Sequence, residues 1–123
     1  MFEQNLRILL VNDEYMQLMI LENILVRILG IPQENVDKAE NGQIANKKAI
    51  EGNFDIIIMD LNMPVMNGFT AAKSIKDYFK NEGRICPYIV ALSASHIDQM
   101  LISQCQQSGF DDWFSSPLTY LDI

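Results

Sequence analysis

The sequence predicts a doubly wound α/β domain, a five-stranded parallel sheet with helices on both faces. Three observations predict it. Five short apolar runs, at residues 6–11, 36–39, 54–59, 87–92 and 113–115, alternate with stretches of helical periodicity, and strands alternating with helices over short joins build parallel sheets. The third run, FDIIIM, holds three consecutive isoleucines, which cannot all face one side and so imply a strand covered on both. Four of the runs give way to short polar residues, at Asn12-Asp13, Asp60, Ser93 and Ser116, and open parallel sheets keep their ligand crevice at that edge.

The elements follow in order. Residues 6–11 (LRILLV) stop at Asn12-Asp13-Glu14, after which Met16, Met19, Ile20, Asn23, Ile24, Arg27 and Ile28 recur at helical spacing, with Gly30 and Pro32 as stop signals. Residues 36–39 form a weak second strand ended by Asn41-Gly42, and 43–51 a short helix whose Lys47 and Lys48 are expected on an exposed face. The strand at 54–59 ends on Asp60, and the loop LNMPVMNG leads into a helix at 69–81 with Ala72, Ile75 and Phe79 as its inward stripe. Residues 87–92 (PYIVAL) are a fourth buried strand, and a polar helix at 97–108 is closed by Gly109. Residues 113–115 make a short fifth strand that Ser116-Pro117 stops, leaving LTYLDI, about one and a half helical turns. The methionines at 16, 19, 59, 63, 66 and 100 are expected mainly in core and loops, with Met63 and Met66 able to join a partner surface.

Composition narrows the function classes. The 123 residues, 49% hydrophobic and 20% charged, suit one domain over 1–123 with one core. A formal charge of −7 removes the general phosphate attraction on which nucleic-acid binding rests. Cys86 and Cys105 fit neither a disulfide framework nor a metal pattern, which points to free thiols in a reducing compartment. No apolar run approaches the roughly 20 residues that span a bilayer, so a cytoplasmic domain without membrane contact is expected.

Asp13 and Asp60 fall at the tips of adjacent central strands, where two carboxylates repel unless a cation or proton joins them. A hard divalent ion, Mg2+, would take one oxygen from each, a carbonyl from the following loop and several waters. An aspartate after a strand also caps the next helix or starts a turn, so either residue alone has a purely structural use. Pro64 fixes the loop, and Gly68 supplies either a positive φ or a close backbone approach. His96, the single histidine, sits at a helix start near this edge, and Asp111-Asp112 reads as a solvated turn.

The motif D-x-x-M-P-x-x-x-G at 60–68, after IIIM and joined in order by VNDE at 11–14, ALSAS at 91–95 and SPL at 116–118, resembles a response-regulator receiver domain. DLNMPVMNG and ALSAS are most similar to receivers of hybrid histidine kinases. The resemblance implies the flavodoxin-like strand order 2-1-3-4-5, and by comparison the fifth helix here is truncated or short. It further implies that Asp60 accepts a phosphoryl group from a phosphohistidine, with Mg2+ held by Asp13, Asp60, the backbone carbonyl of Asn62 and, through water, Asn12. Ser93 would hydrogen-bond the phosphoryl oxygen, and the Trp113 rotamer would follow its movement. The implied partner is a histidine kinase or a histidine phosphotransfer protein, and no stand-alone enzyme activity is implied beyond self-phosphorylation and dephosphorylation.

Two departures stand out. Asn12 replaces the first of the family's two acids, and Ser116 replaces the lysine before the proline. One negative and one positive charge are lost together, so Mg2+ would still neutralise the pocket; moderately weakened metal binding and impaired coupling to the switch are expected. A pseudo-receiver, an interaction module independent of phosphorylation, is the alternative. The short C-terminus leads to an expectation of self-association through an incompletely covered face.

Overall fold

A computed structural model describes residues 5–61, 63, 66–94 and 97–115. Within them the strands are β1 (Ile8–Val11), β2 (Val36–Ala39), β3 (Ile56–Asp60), β4 (Tyr88–Ser93) and β5 (Asp112–Ser115). The helices are α1 (Tyr15–Asn23), α2 (Gly42–Glu51), α3 (Gly68–Asn81) and α4 (Gln99–Ser108). All pairings are parallel and the order is β2-β1-β3-β4-β5, as expected. Residues 116–123 lie outside the described residues, and with them Ser116 and the expectations of a short fifth helix and of a self-association surface.

Alternation along the strands explains the two layers. Ile57 and Met59 join Leu9, Val11, Ile89 and Ala91 beneath α2, α3 and α4, while Ile58 joins Ile8, Leu10, Val90 and Leu92 beneath α1. Each large side chain so buried is worth about 1.5–3 kcal/mol. The isoleucine run therefore anchors both faces at the centre of the sheet. Ala45 and Ala49 of α2 and Ala71 and Ala72 of α3, all fully buried, let these two helices lie close to the sheet and to one another.

Helix α1 departs from the stripe that its helical spacing singled out. Of that stripe Met16, Ile20, Asn23 and Ile28 are exposed and Ile24 is buried, whereas Leu18, Leu21 and Glu22, with Leu25 in the turn beyond, face the sheet. The helix is apolar on several sides, so periodicity alone did not select one. Glu22 lies on the inward side because its carboxylate receives Lys38 Nζ from β2 at 2.9 Å. Beyond Asn23 the chain widens into a π-helical turn at Ile24–Ile28, closed by Leu29 N donating to the Ile24 carbonyl.

Local chemistry sets the other helix ends. Asn41, Asn67 and Asp98 accept from the backbone N–H of Ile44, Thr70 and Leu101 at 2.8–2.9 Å and so cap α2, α3 and α4, each contact worth about 1 kcal/mol. Gly109 ends α4 at a φ of 93°, a conformation that favours glycine. Three surface expectations are corrected. Met16 and Met100 are exposed. Lys48 is half-buried and donates to Asp37 and to the Lys38 carbonyl. Asp111 is not merely solvated, since its carboxylate accepts from Lys76 Nζ and Ile89 N.

Candidate functional site

The carboxyl edge of the sheet gathers the predicted residues that the structure describes. Val11 pairs with Met59, so Asn12 and Asp60 continue adjacent strands side by side. Asp60 is half-buried as the last residue of β3, pairs with Leu92, and is followed by Leu61 N donating to the Leu92 carbonyl at 3.0 Å. Ser93, only 3% exposed, ends β4 and pairs with Ser115. Trp113 pairs with Ala91, which makes it the diagonal neighbour of Ser93 on one sheet face. Its ring is partly buried against the core beneath α2, α3 and α4. Asn62, Ser116 and His96 lie outside the described residues.

Asn12 is buried and structurally engaged. Its backbone N–H extends the ladder to the Ala39 carbonyl at 3.1 Å, and its Oδ1 accepts from Glu14 N at 2.9 Å. In this turn an Asn side chain binds the backbone two residues on, a habit of asparagine that is the sequence signal for it. The turn sends Asp13 outward, exposed, beside a cleft of about 320 Å³ shared with Asn12, Tyr15, Leu18, Lys38 and Glu40.

The loop after β3 returns tightly. Gly68 N donates to the Leu61 carbonyl at 3.0 Å, and a Cβ on Gly68 would lie 2.6 Å from the Asp60 carbonyl oxygen. Gly68 is not among the positive-φ glycines, so of its two expected roles the structure selects close approach. A second close approach, between Gly42 and Met66, carries no sequence signal beyond the Asn-Gly turn.

The donor set suits a hard cation. Among the described residues no three His, Cys, Asp or Glu side chains cluster as a metal site. Mg2+, however, commonly binds through one or two carboxylates while keeping several waters, and Asp13 and Asp60 meet that requirement at one edge. The Asn12 oxygen retains a second lone pair for a metal-bound water.

The comparisons agree with this geometry. The family model of the response regulator receiver domain matches residues 8–122. Hybrid signal transduction histidine kinase G of Dictyostelium discoideum is 40% identical over 122 residues, 98% of this chain and 3% of that protein. The chain thus spans a few per cent of the length of the hybrid kinases it matches. Among solved structures, the co-crystal of the Saccharomyces cerevisiae histidine phosphotransfer signaling protein Ypd1 with the receiver domain of its downstream response regulator Ssk1 contains a similar chain. The identity is 33% and the TM-score 0.85, covering 97% of this chain and 83% of that one. The receiver domain of the histidine kinase CKI1 from Arabidopsis thaliana, complexed with Mg2+, matches at 25% identity and a TM-score of 0.83, covering 96% and 90%. A sheet in the order β2-β1-β3-β4-β5, a half-buried aspartate ending its central strand and a family match over nearly the whole length lead to one conclusion: the chain belongs to the response regulator receiver domain family.

Proposed function

We propose that this receiver relays a phosphoryl group, accepting it on Asp60 from the phosphohistidine of a histidine kinase or histidine phosphotransfer protein. The observation that carries this is Asp60 itself, a half-buried carboxylate ending the central strand between the Asn12-Asp13 turn and Ser93. A carboxylate oxygen of Asp60 attacks phosphorus. The P–N bond breaks with its electrons returning to the imidazole, and an acyl phosphate forms on Asp60. Mg2+ bound by Asp13, Asp60 and the Asn62 carbonyl would neutralise charge on the transferring group. Asp13 would contribute a carboxylate oxygen to that ion, Asn12 would hold one of its waters, and the Ser93 hydroxyl would donate to a phosphoryl oxygen. Trp113, diagonal to Ser93, reports that contact.

A macromolecular donor is supported by Tyr15 and Met16, which are 69% and 67% exposed at the start of α1, just past Asp13 and Glu14. Large apolar side chains rimming a polar site are typical of protein contact surfaces. The similar receiver in the Ypd1 co-crystal supports the same class of partner. A pseudo-receiver is favoured by the absence of charge at Asn12 and by Ser116 in the lysine position. The test is transfer from a phosphorylated histidine phosphotransfer protein in the presence of Mg2+. Base-labile phosphate on the wild type and none on Asp60→Asn is the expected result. Binding of the partner without any transfer to the wild type selects the pseudo-receiver instead.

A further inference from the structure

Two glycines hold the segment that follows Asp60, and neither is required for its backbone angles, since the positive-φ glycines are Gly30, Gly83 and Gly109. At the segment's far end, a Cβ on Gly68 would lie 2.6 Å from the Asp60 carbonyl oxygen and 2.8 Å from Leu61 Cα. Before that, a Cβ on Gly42 would collide with the Met66 carbonyl oxygen and lie 2.9 Å from Met66 Cβ and 3.0 Å from the Met66 carbonyl carbon. The obstacles at both places are mostly backbone, which cannot swing away as the tip of a flexible side chain does.

Gly42 is buried as the first residue of α2. Its seat is fixed, because Asn41 caps the helix through Ile44 N and the Asn41 carbonyl accepts from Ala45 N at 3.0 Å. α2 is fixed in turn by Ala45 and Ala49, both fully buried against the sheet. The chain from Asp60 to Gly68 is therefore closed on itself at one point and rests on α2 at another. Met66 stands two residues before Gly68, whose N–H is bonded to the Leu61 carbonyl and whose Cα lies against Asp60, so a shift of Met66 would load that contact through Asn67.

We propose that Gly42 is a positioning residue for phosphoryl acceptance: by lacking a side chain it seats Met66, two residues before Gly68, and so holds the Gly68 contact with Asp60 and Leu61 in place. This rests on Asp60 as the phosphoacceptor. In-line transfer tolerates little misplacement, and an error of about 1 Å costs up to two orders of magnitude in rate. Alanine is also the better intrinsic helix former, so harm from Gly42→Ala would come from the contact with Met66 and not from helix propensity.

The experiment compares Gly42→Ala with Gly52→Ala. Gly52 caps the other end of α2, and its Cβ would also be crowded, though first by a side chain, 2.7 Å from Phe54 Cε2 and 3.0 Å from the Lys48 carbonyl oxygen. Gly42→Ala is expected to shift the amide resonances of Leu61, Met63 and Gly68 and to slow Asp60 phosphorylation about tenfold or more. Gly52→Ala is expected to leave those resonances in place and the rate within about twofold, at a similar loss of thermal stability. Should Gly42→Ala fail to fold, Asn41→Ala loosens the same seat without a clash, and faster hydrogen exchange at Leu61 and Gly68 is then expected. Unmoved loop resonances, unchanged exchange, or equal shifts in Gly52→Ala would overturn the proposal. A wild type that accepts no phosphate counts against Asp60 as phosphoacceptor, while the resonances still decide on Gly42.

Discussion

Glu22 of α1 and Lys38 of β2 meet at 2.9 Å, with the carboxylate side chain 12% exposed and the lysine 35%. The contact joins the first helix to the edge strand of the sheet and explains why an acid occupies the inward side of α1. Lys38 also lines the cleft beside Asn12 and Asp13. One ion pair thus lies between the packing of α1 and the proposed phosphorylation site.

Removing one partner leaves a charge in a largely buried position. Lys38→Met is expected to lower stability by about 1–2 kcal/mol, the half-exposed lysine moderating the larger cost of a fully buried pair. Adding Glu22→Leu should restore most of the loss, because an apolar pair of similar volume replaces the ion pair. Urea unfolding of the two single variants and the double variant checks this, and additive losses would contradict the coupling.

The two departures from the family can be reversed separately. Asn12→Asp keeps an oxygen for the Glu14 N–H and adds a carboxylate, so Mg2+ affinity is expected to rise about tenfold. Ser116→Lys is expected to leave Mg2+ affinity unchanged or slightly weaker, while enlarging the Trp113 fluorescence change on phosphorylation. Titration of Mg2+ followed by a small-molecule phosphodonor measures both. Equal and opposite changes in Mg2+ affinity from the two variants would mean that net charge alone, and not placement, governs the site.

Burial raises the pKa of the Cys105 thiol, and burial is also the largest influence on Cys86, opposed there by Lys76. A raised folded-state pKa stabilises the fold fully below the unfolded thiol value of about 8.5 and loses that contribution as pH climbs through the folded value. Stability is therefore expected to fall above about pH 8.5, by at most about 1.4 kcal/mol per pH unit for each thiol. Cys105→Ala should be less stable at pH 7.5 but lose less between pH 7.5 and 9.5. Urea midpoints at the two pH values test the difference, and parallel losses would remove Cys105 as the cause.

Asn46 of α2 buries its Oδ1 without a hydrogen-bond partner among the described residues. An orphaned polar atom of this kind costs about 1–3 kcal/mol. Asn46→Leu, close in shape and better in a helix, is expected to raise stability by about 1 kcal/mol. A thermal melt that shows a lower midpoint would mean that a bound water satisfies the amide.

Much was determined by the sequence alone. Five apolar runs, the isoleucine triplet at Ile56–58 and the polar residues that close the strands were sufficient for the sheet, its parallel sense and the edge where Asn12, Asp13, Asp60 and Ser93 gather. These features are local: period, run length and turn chemistry are written in neighbouring residues. The tertiary structure decided what depends on residues far apart in the chain. It chose Leu18 and Leu21 over Met16 and Ile20 as the buried side of α1, where Lys38 on β2 offers Glu22 a partner. It gave Gly68 close approach instead of a positive φ, and it brought Gly42 against Met66. Steric exclusion between backbones distant in sequence leaves no periodic trace, and only the folded chain reveals it.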